Sequence, residues 1–433
     1  MRNLKFKNFL LIISLLFISC SFYGQNLTNK NSIHQNVENE TKKIYKNLIE
    51  IRRDLHKHPE LSEKEKRTSK IVEEYLVNLG LEVHTNIGGY GVVGILRGSK
   101  EGKKIAWRAD IDAMSSDIED IVDFKSLNKG VRHICGHDIH TAIGLGIAHV
   151  LGSVKENLKG TVYFIFQPSE ENYKGALAMI DDKLFEIIKP DEIYGTHVAP
   201  FPSGVISTKK NNIYAHRTII ELVYENSINE EQIIKYTKEL LNDIQTIEPN
   251  SPFWNQRYLL DPNIGMTNPN TIFKDYTVVS SDFNIQDINN TLKISTILDF
   301  SDQQLKERTI DYINKQIKQS EFKNSFVSAK YQFEKETPMN DSILTMKVVN
   351  SISKLYGKEK VITMHGVGPA EFGDDFAYFQ NYAPGVYFFL GASNFEKGLV
   401  AMPHSPSFAI DESCIKVGVN FFSSLIIERI NKL

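Results

Sequence analysis

Apolar and polar positions alternate in two distinct rhythms along the chain. Residues 37–80 repeat at helical spacing as NETKKIYKNLIEIRRDLHKH and EKEKRTSKIVEEYLVNLG, with Pro59 breaking the two. Short β-rich runs follow, LEVHTNI, GVVGILRG and KKIAWRADID. A small-and-apolar stretch at 141–152 then predicts a buried helix, TVYFIFQ (161–167) a strand, KGALAMIDD a helix and EIYGTHV (192–198) a strand. Strands alternating with helices predict an α/β fold with a mainly parallel sheet.

The rhythm changes in the middle of the chain. HRTIIELVY (216–224) reads as a strand, 229–247 as a polar helix, LKISTILDF (292–300) as a strand and 302–319 as an amphipathic helix. This order predicts a smaller inserted α+β domain over 213–325, a lid or dimerisation unit set into a catalytic domain of 36–212 and 326–433. Residues 249–272 are rich in Pro and Asn and read as loop. From 326 the α/β pattern resumes, with a buried strand at 384–392 and a closing helix from about 411.

Composition adds limits. A chain of 433 residues is long for one domain, and 41% hydrophobic residues with a net charge of −3 describe a globular protein with ample core. Lysines and arginines are dispersed, so no nucleic-acid surface is expected. The beginning departs from this: MRNLKFK is basic and 9–19 is an apolar run, the layout of an export signal over 1–24. FISC-S resembles a lipobox, which makes a lipid anchor on Cys20 one expectation and ordinary cleavage before Gln25 the other. Either ending implies export to a periplasmic, secreted or envelope-anchored location. Two cysteines remain, too few for a disulfide-built protein. Cys414 reads as a core residue.

The densest chemistry is HICGHDIH (133–140). A thiol and an imidazole two residues apart, beside Asp138 and at the start of a helix, suit a borderline-soft cation such as zinc. A hydrogen-bonded capping loop is the bland alternative. Glu170 and Glu171 in QPSEE close a strand, where one carboxylate can hold a metal and its neighbour a water. They read equally as a helix start decorated with acids. His197 ends another strand and His404 lies in a loop before the last helix. Taken singly, the first suits a core residue and the second a surface one. Asp110 and Asp112 in RADIDAM can orient a ligand histidine or simply serve a turn. All these residues fall at strand-to-loop exits of the α/β part.

RRDLHKHPELSEKE, RADIDAM, NKGVRHICGHDIHTA, QPSEE, GTHVAPFPSG, FGDDFAYF and PHSPSFAIDE occur in the order found in the amidohydrolase branch of the aminoacylase/carboxypeptidase-type metallopeptidases. The chain resembles that family over most of 45–210 and 360–425. The resemblance implies two divalent metal ions (zinc, manganese or similar) held by Cys135, His137, Glu171, His197 and His404. It implies Glu170 as general base, with Asp110, Asp112 and Asp138 supporting the ligands. An N-acyl amino acid or peptide-like substrate and a homodimer through the inserted domain also follow from it. The inserted domain departs from the pattern. Where relatives carry a glycine-rich loop with a histidine, this chain reads ELVYENSINEEQ, and a later strand that usually contains an arginine reads STILDFS, with Leu298 near that place. Loss of an oxyanion donor costs on the order of a hundredfold or more in rate. Two expectations follow: a hydrolase with an altered lid, in which His216 is a candidate replacement, or a catalytically weakened metal- or ligand-binding homologue.

Overall fold

The computed structural model describes residues 33–225 and 229–431. The expected signal segment and Cys20 lie outside the described residues. The main unit is an eight-stranded sheet. Its centre is parallel: Lys159–Gln167, Lys100–Asp110, Glu192–Pro202 and Gly385–Ser393 run side by side. Antiparallel strands Glu82–Ile87 and Gly91–Arg97 close one edge, while Ile206–Thr208 and Val361–Thr363 form the other.

Both faces of this sheet are covered, so its strands are apolar on both sides. In Lys100–Asp110, Ile105, Trp107 and Ala109 join one core with Phe164 and Phe166, under helices 33–57, Lys66–Asn78, His137–Ser153, Ser342–Tyr356 and Ser413–Ile430. Ala106 joins the opposite core with Tyr163, Ile165 and Tyr387. Cys414 is fully buried in the first core, as its sequence setting suggested. The segment 249–272 forms short 3₁₀ turns and places Phe253 and Met266 in the second core. This loop is therefore an apolar cover.

The inserted unit is a separate antiparallel sheet. His216–Glu225 lies between Thr291–Phe300 and Phe326–Lys335, with Thr277–Val279 and Asn284–Ile288 pairing along Thr291–Phe300. Helices Glu230–Asn242 and Gln303–Gln319 bury Ile233, Leu241, Ile313 and Ile317 against its inner residues. The boundary expected at residue 325 is thereby corrected. Phe326–Lys335 pairs along His216–Glu225 and belongs to the inserted sheet, so the chain returns to the main unit only after residue 335. Alternation along a strand sets which face a side chain takes and carries no information on which sheet accepts the strand. Among the described residues, no helix is long and apolar enough to cross a membrane.

Candidate metal centre

The turn before helix His137–Ser153 is shaped by Gly136. Its φ of 97° is left-handed, and an added Cβ would lie 2.5 Å from Val198 Cγ2. Gly136 thus lets the helix start press against the strand that carries His197. Cys135 Sγ lies 3.1 Å from His197 Nε2, and the His137 and His197 rings are 5.9 Å apart. The strand Lys159–Gln167 then delivers Glu170 and Glu171 through a turn with positive φ at Ser169 and Tyr173. His137 Nε2 is 3.8 Å from Glu170 and 3.9 Å from Glu171. From the far side His404, itself at φ 59°, brings Nε2 to 3.5 Å from Glu171.

Hydrogen bonds fix which atoms face inward. His197 Nδ1 donates to the Val198 carbonyl at 2.7 Å, leaving the Nε2 lone pair toward Cys135. His137 Nδ1 donates to Asp112, at 3.0 Å from its carbonyl and 3.1 Å from its carboxylate, leaving Nε2 free. His137 Nε2 and Glu171 Oε1 are buried and have no hydrogen-bond partner among the described residues. Buried polar atoms rarely stay unpaired. Two such acceptors aimed at one another, with a thiol and two further imidazoles, are the donor set of a soft-to-borderline divalent cation. Burial, then the neighbouring Glu171, pushes the Cys135 thiol well up from its usual range, so the thiolate form calls for a cation beside it. Cys135, His137, His197, Glu171 and His404 fall into overlapping groups whose ligand atoms lie within 4.8 Å of one another. The residues fit the ions expected from the sequence.

Supporting residues divide differently from expectation. Asp112 holds His137 and also accepts the Glu171 backbone N–H at 3.0 Å, so it orients two ligand positions. Asp110 accepts from His140 Nδ1 at 2.6 Å, and His140 Nε2 accepts the Val198 N–H at 2.9 Å. Both His140 nitrogens are therefore committed, and the ring fixes the backbone next to His197. Asp138 requires a correction. It is ion-paired with Arg52 Nε and hydrogen-bonded to His56 Nδ1, each at 2.8 Å, and among the described residues it holds none of the five ligand candidates. One residue along a helix is a rotation of about 100°, which turns Asp138 away from His137 and toward helix 33–57. Among the described residues, His133 is buried with both ring nitrogens unpartnered and lies outside the ligand groups. Desolvation lowers its pKa to about 4, the neutral ring being the form that burial tolerates.

Glu170 is buried and faces a cavity of about 320 Å³. Burial first, then Asp374 and Glu171, push its carboxyl well above the ordinary range, which suits a group that must accept and return a proton. Behind it lies a network that sequence reasoning missed. Arg108 is fully buried and bonds Asp110, Asp374 and Asp375, with Gln167 at 2.8 Å. The signal was present, since an arginine inside an apolar strand requires buried partners. The cavity wall also includes the cover loop (Leu259, Leu260, Met266), Phe389 and Met402, and Tyr173 and Lys335. His216 is not among the lining residues. It sits at the start of the inserted sheet, 4.0 Å from Glu334.

A model of the peptidase family M20/M25/M40 matches residues 106–428. The chain belongs to that family. It is 32% identical over 421 residues to Thermostable carboxypeptidase 2 of Saccharolobus solfataricus, covering 92% of this chain and 99% of that protein. Thermostable carboxypeptidase 1 of the same organism matches at 32% with the same coverage. Among solved structures, the Bacillus subtilis YXEP protein, described as a dinuclear metal binding peptidase from the M20 family, superposes with a TM-score of 0.69. It is 23% identical and covers 90% of this chain and all of that one. As an M20/M25/M40 member, the protein is a metal-dependent hydrolase of the peptidase and amidohydrolase type. The fold and the family expected from the sequence are both borne out.

Proposed function

We propose that the protein is an exported hydrolase that cleaves the amide bond of N-acyl amino acids or of related small amides and dipeptides. The observation that carries this reading is the convergence of Cys135, His137, Glu171, His197 and His404 beside the buried carboxyl of Glu170, next to one cavity. Two divalent cations are proposed to be held by those five side chains. Bound there, they supply Lewis acidity that acidifies a water and polarises an amide carbonyl. Glu170 takes the proton from that water and returns it to the leaving amine. Asp112 and the Val198 carbonyl keep the His137 and His197 rings in the tautomer and orientation this requires, and His140 holds the backbone of Val198. The M20/M25/M40 membership and the carboxypeptidase names of the relatives support amide hydrolysis. The retained base and complete ligand set favour this over the weakened-homologue alternative.

The test is turnover by purified, metal-loaded protein on a panel of N-acyl amino acids and dipeptides, alongside metal analysis. We expect hydrolysis of at least one compound and about two ions per chain, with the ions lost in a Cys135→Ala, His137→Ala double variant that still folds. A metal-replete protein that cleaves nothing on the panel sinks the reading. Export rests on the basic and apolar pattern of residues 1–24. Expressed in a bacterium, the full chain is expected in the envelope fraction, and Cys20→Ala is expected to move it to the soluble exported fraction. Full-length protein remaining in the cytoplasm removes export from the proposal.

A further inference from the structure

The cavity above the candidate metal centre has an uneven charge. Its lining includes the carboxylates of Glu170, Glu171, Glu371 and Asp374, against a single lysine or arginine among the described residues, Lys335. Lys335 closes the last strand of the inserted sheet, where the chain turns back toward the main unit. Its ammonium lies 3.8 Å from the centre of the Tyr173 ring and 3.4 Å from the Ala370 carbonyl. It makes no ion pair among the described residues, unlike the nearby Arg217, which is paired with Asp299 at 2.7 Å. Tyr173 is itself in the left-handed turn that delivers Glu170 and Glu171, so the cation rests on a ring from the same turn as the catalytic carboxyl.

A half-buried cation with no carboxylate partner, resting on an aromatic face, is pre-placed for an anion. The apolar wall of Leu259, Leu260 and Met266 offers nothing to a charged group. We infer that Lys335 is a specificity-determining residue that anchors a free carboxylate of the substrate, leaving the apolar part of the substrate to the cover-loop wall. Burial and Arg217 lower the Lys335 pKa, whereas Glu170, Asp299 and Asp374 favour its charged form. This inference rests on the amidohydrolase reading above for its substrate class. The anchor would be a side chain of the chain's own inserted sheet.

The experiment compares the best-cleaved N-acyl amino acid of the panel with its C-terminal carboxamide, on wild type, Lys335→Met and Lys335→Arg, all metal-loaded. A lost charge-assisted contact made in ground and transition states alike raises KM and spares kcat. We expect Lys335→Met to raise KM for the acid about tenfold or more and to leave the carboxamide unchanged, with Lys335→Arg recovering most of the loss. Calorimetric binding of N-acetylmethionine and its carboxamide to the same proteins gives a readout independent of turnover. If wild type cleaves nothing, the amidohydrolase reading falls and the binding pair alone judges Lys335. Equal binding of acid and amide by wild type, absence of acid binding, or a Lys335→Met protein that handles the acid like wild type overturns the inference. The last result would assign the carboxylate to the metal centre. A variant that loses acid and amide alike also overturns it, because that is the behaviour of a structural residue.

Discussion

Glu170→Gln is expected to lower kcat by about a hundred- to ten-thousand-fold, the range for losing a positioned general acid–base. Metal content and the unfolding transition should stay at wild-type values. Glutamine keeps the volume and one hydrogen-bonding oxygen, but it cannot take a proton from water or return one to a leaving amine. The side chain is buried at the cavity floor, and burial together with Asp374 and Glu171 already favours its protonated form. A neutral amide is therefore tolerated in the same place, and the fold should not suffer. KM should move little, because the lost interaction is one made in the transition state. Glu171→Gln gives the contrast. Its carboxylate lies between His137 and His404 at 3.9 and 3.5 Å, so that change should release metal and lose activity for that reason. Steady-state kinetics with metal analysis on both variants separates the roles. A Glu170→Gln protein within tenfold of wild-type kcat would remove Glu170 from the mechanism.

That division between adjacent glutamates was legible in the sequence only through the family pattern, since position alone does not say which carboxylate turns inward to a metal. Cys135 and His137 were more accessible, because the glycine between them and the apolar helix after them mark a turn at a helix start. His197 and His404 gain meaning only when strands from distant parts of the chain are brought together. Asp138 misled because proximity in sequence to a ligand is not proximity in space on a helix. Phe326–Lys335 misled for a related reason, as strand pairing is a non-local choice between two sheets. Lys335 carried no local signal at all. Its interest comes from what surrounds it, a cavity rich in carboxylates and an aromatic ring supplied by a different unit. Arg108 did carry a signal, a full charge in the buried half of a strand, but of its three carboxylate partners only Asp110 lies on that strand, while Asp374 and Asp375 come from one segment far along the chain.

Arg108→Met should be the most destabilising single change in this region, on the order of 3–5 kcal/mol, because it leaves buried carboxylates without their cation. Burial opposes ionisation of Asp110, yet Arg108 and the imidazoles of His137 and His140 hold its pKa well below the usual range. Asp375 stands near the opposite limit. Desolvation raises it to about 7 even with Arg108 present and Asp374 adds to the rise, so the guanidinium carries a network already short of positive charge. With methionine in place, the folded-state pKa values of these acids rise above their unfolded values. A carboxyl raised in the folded state contributes stability that is intact below its unfolded pKa and is lost as pH rises through its folded pKa. The deficit of the variant against wild type should therefore grow from pH 4–5 toward pH 7–8, whereas a simple packing loss would give a deficit independent of pH. Urea unfolding of both proteins across that range measures it. Arg108→Lys should fall between them, since it restores one charge but cannot span Asp110, Asp374 and Asp375 with a planar fork. A pH-independent deficit would mean that Arg108 acts by volume, and the electrostatic account of the network behind Glu170 would have to be abandoned.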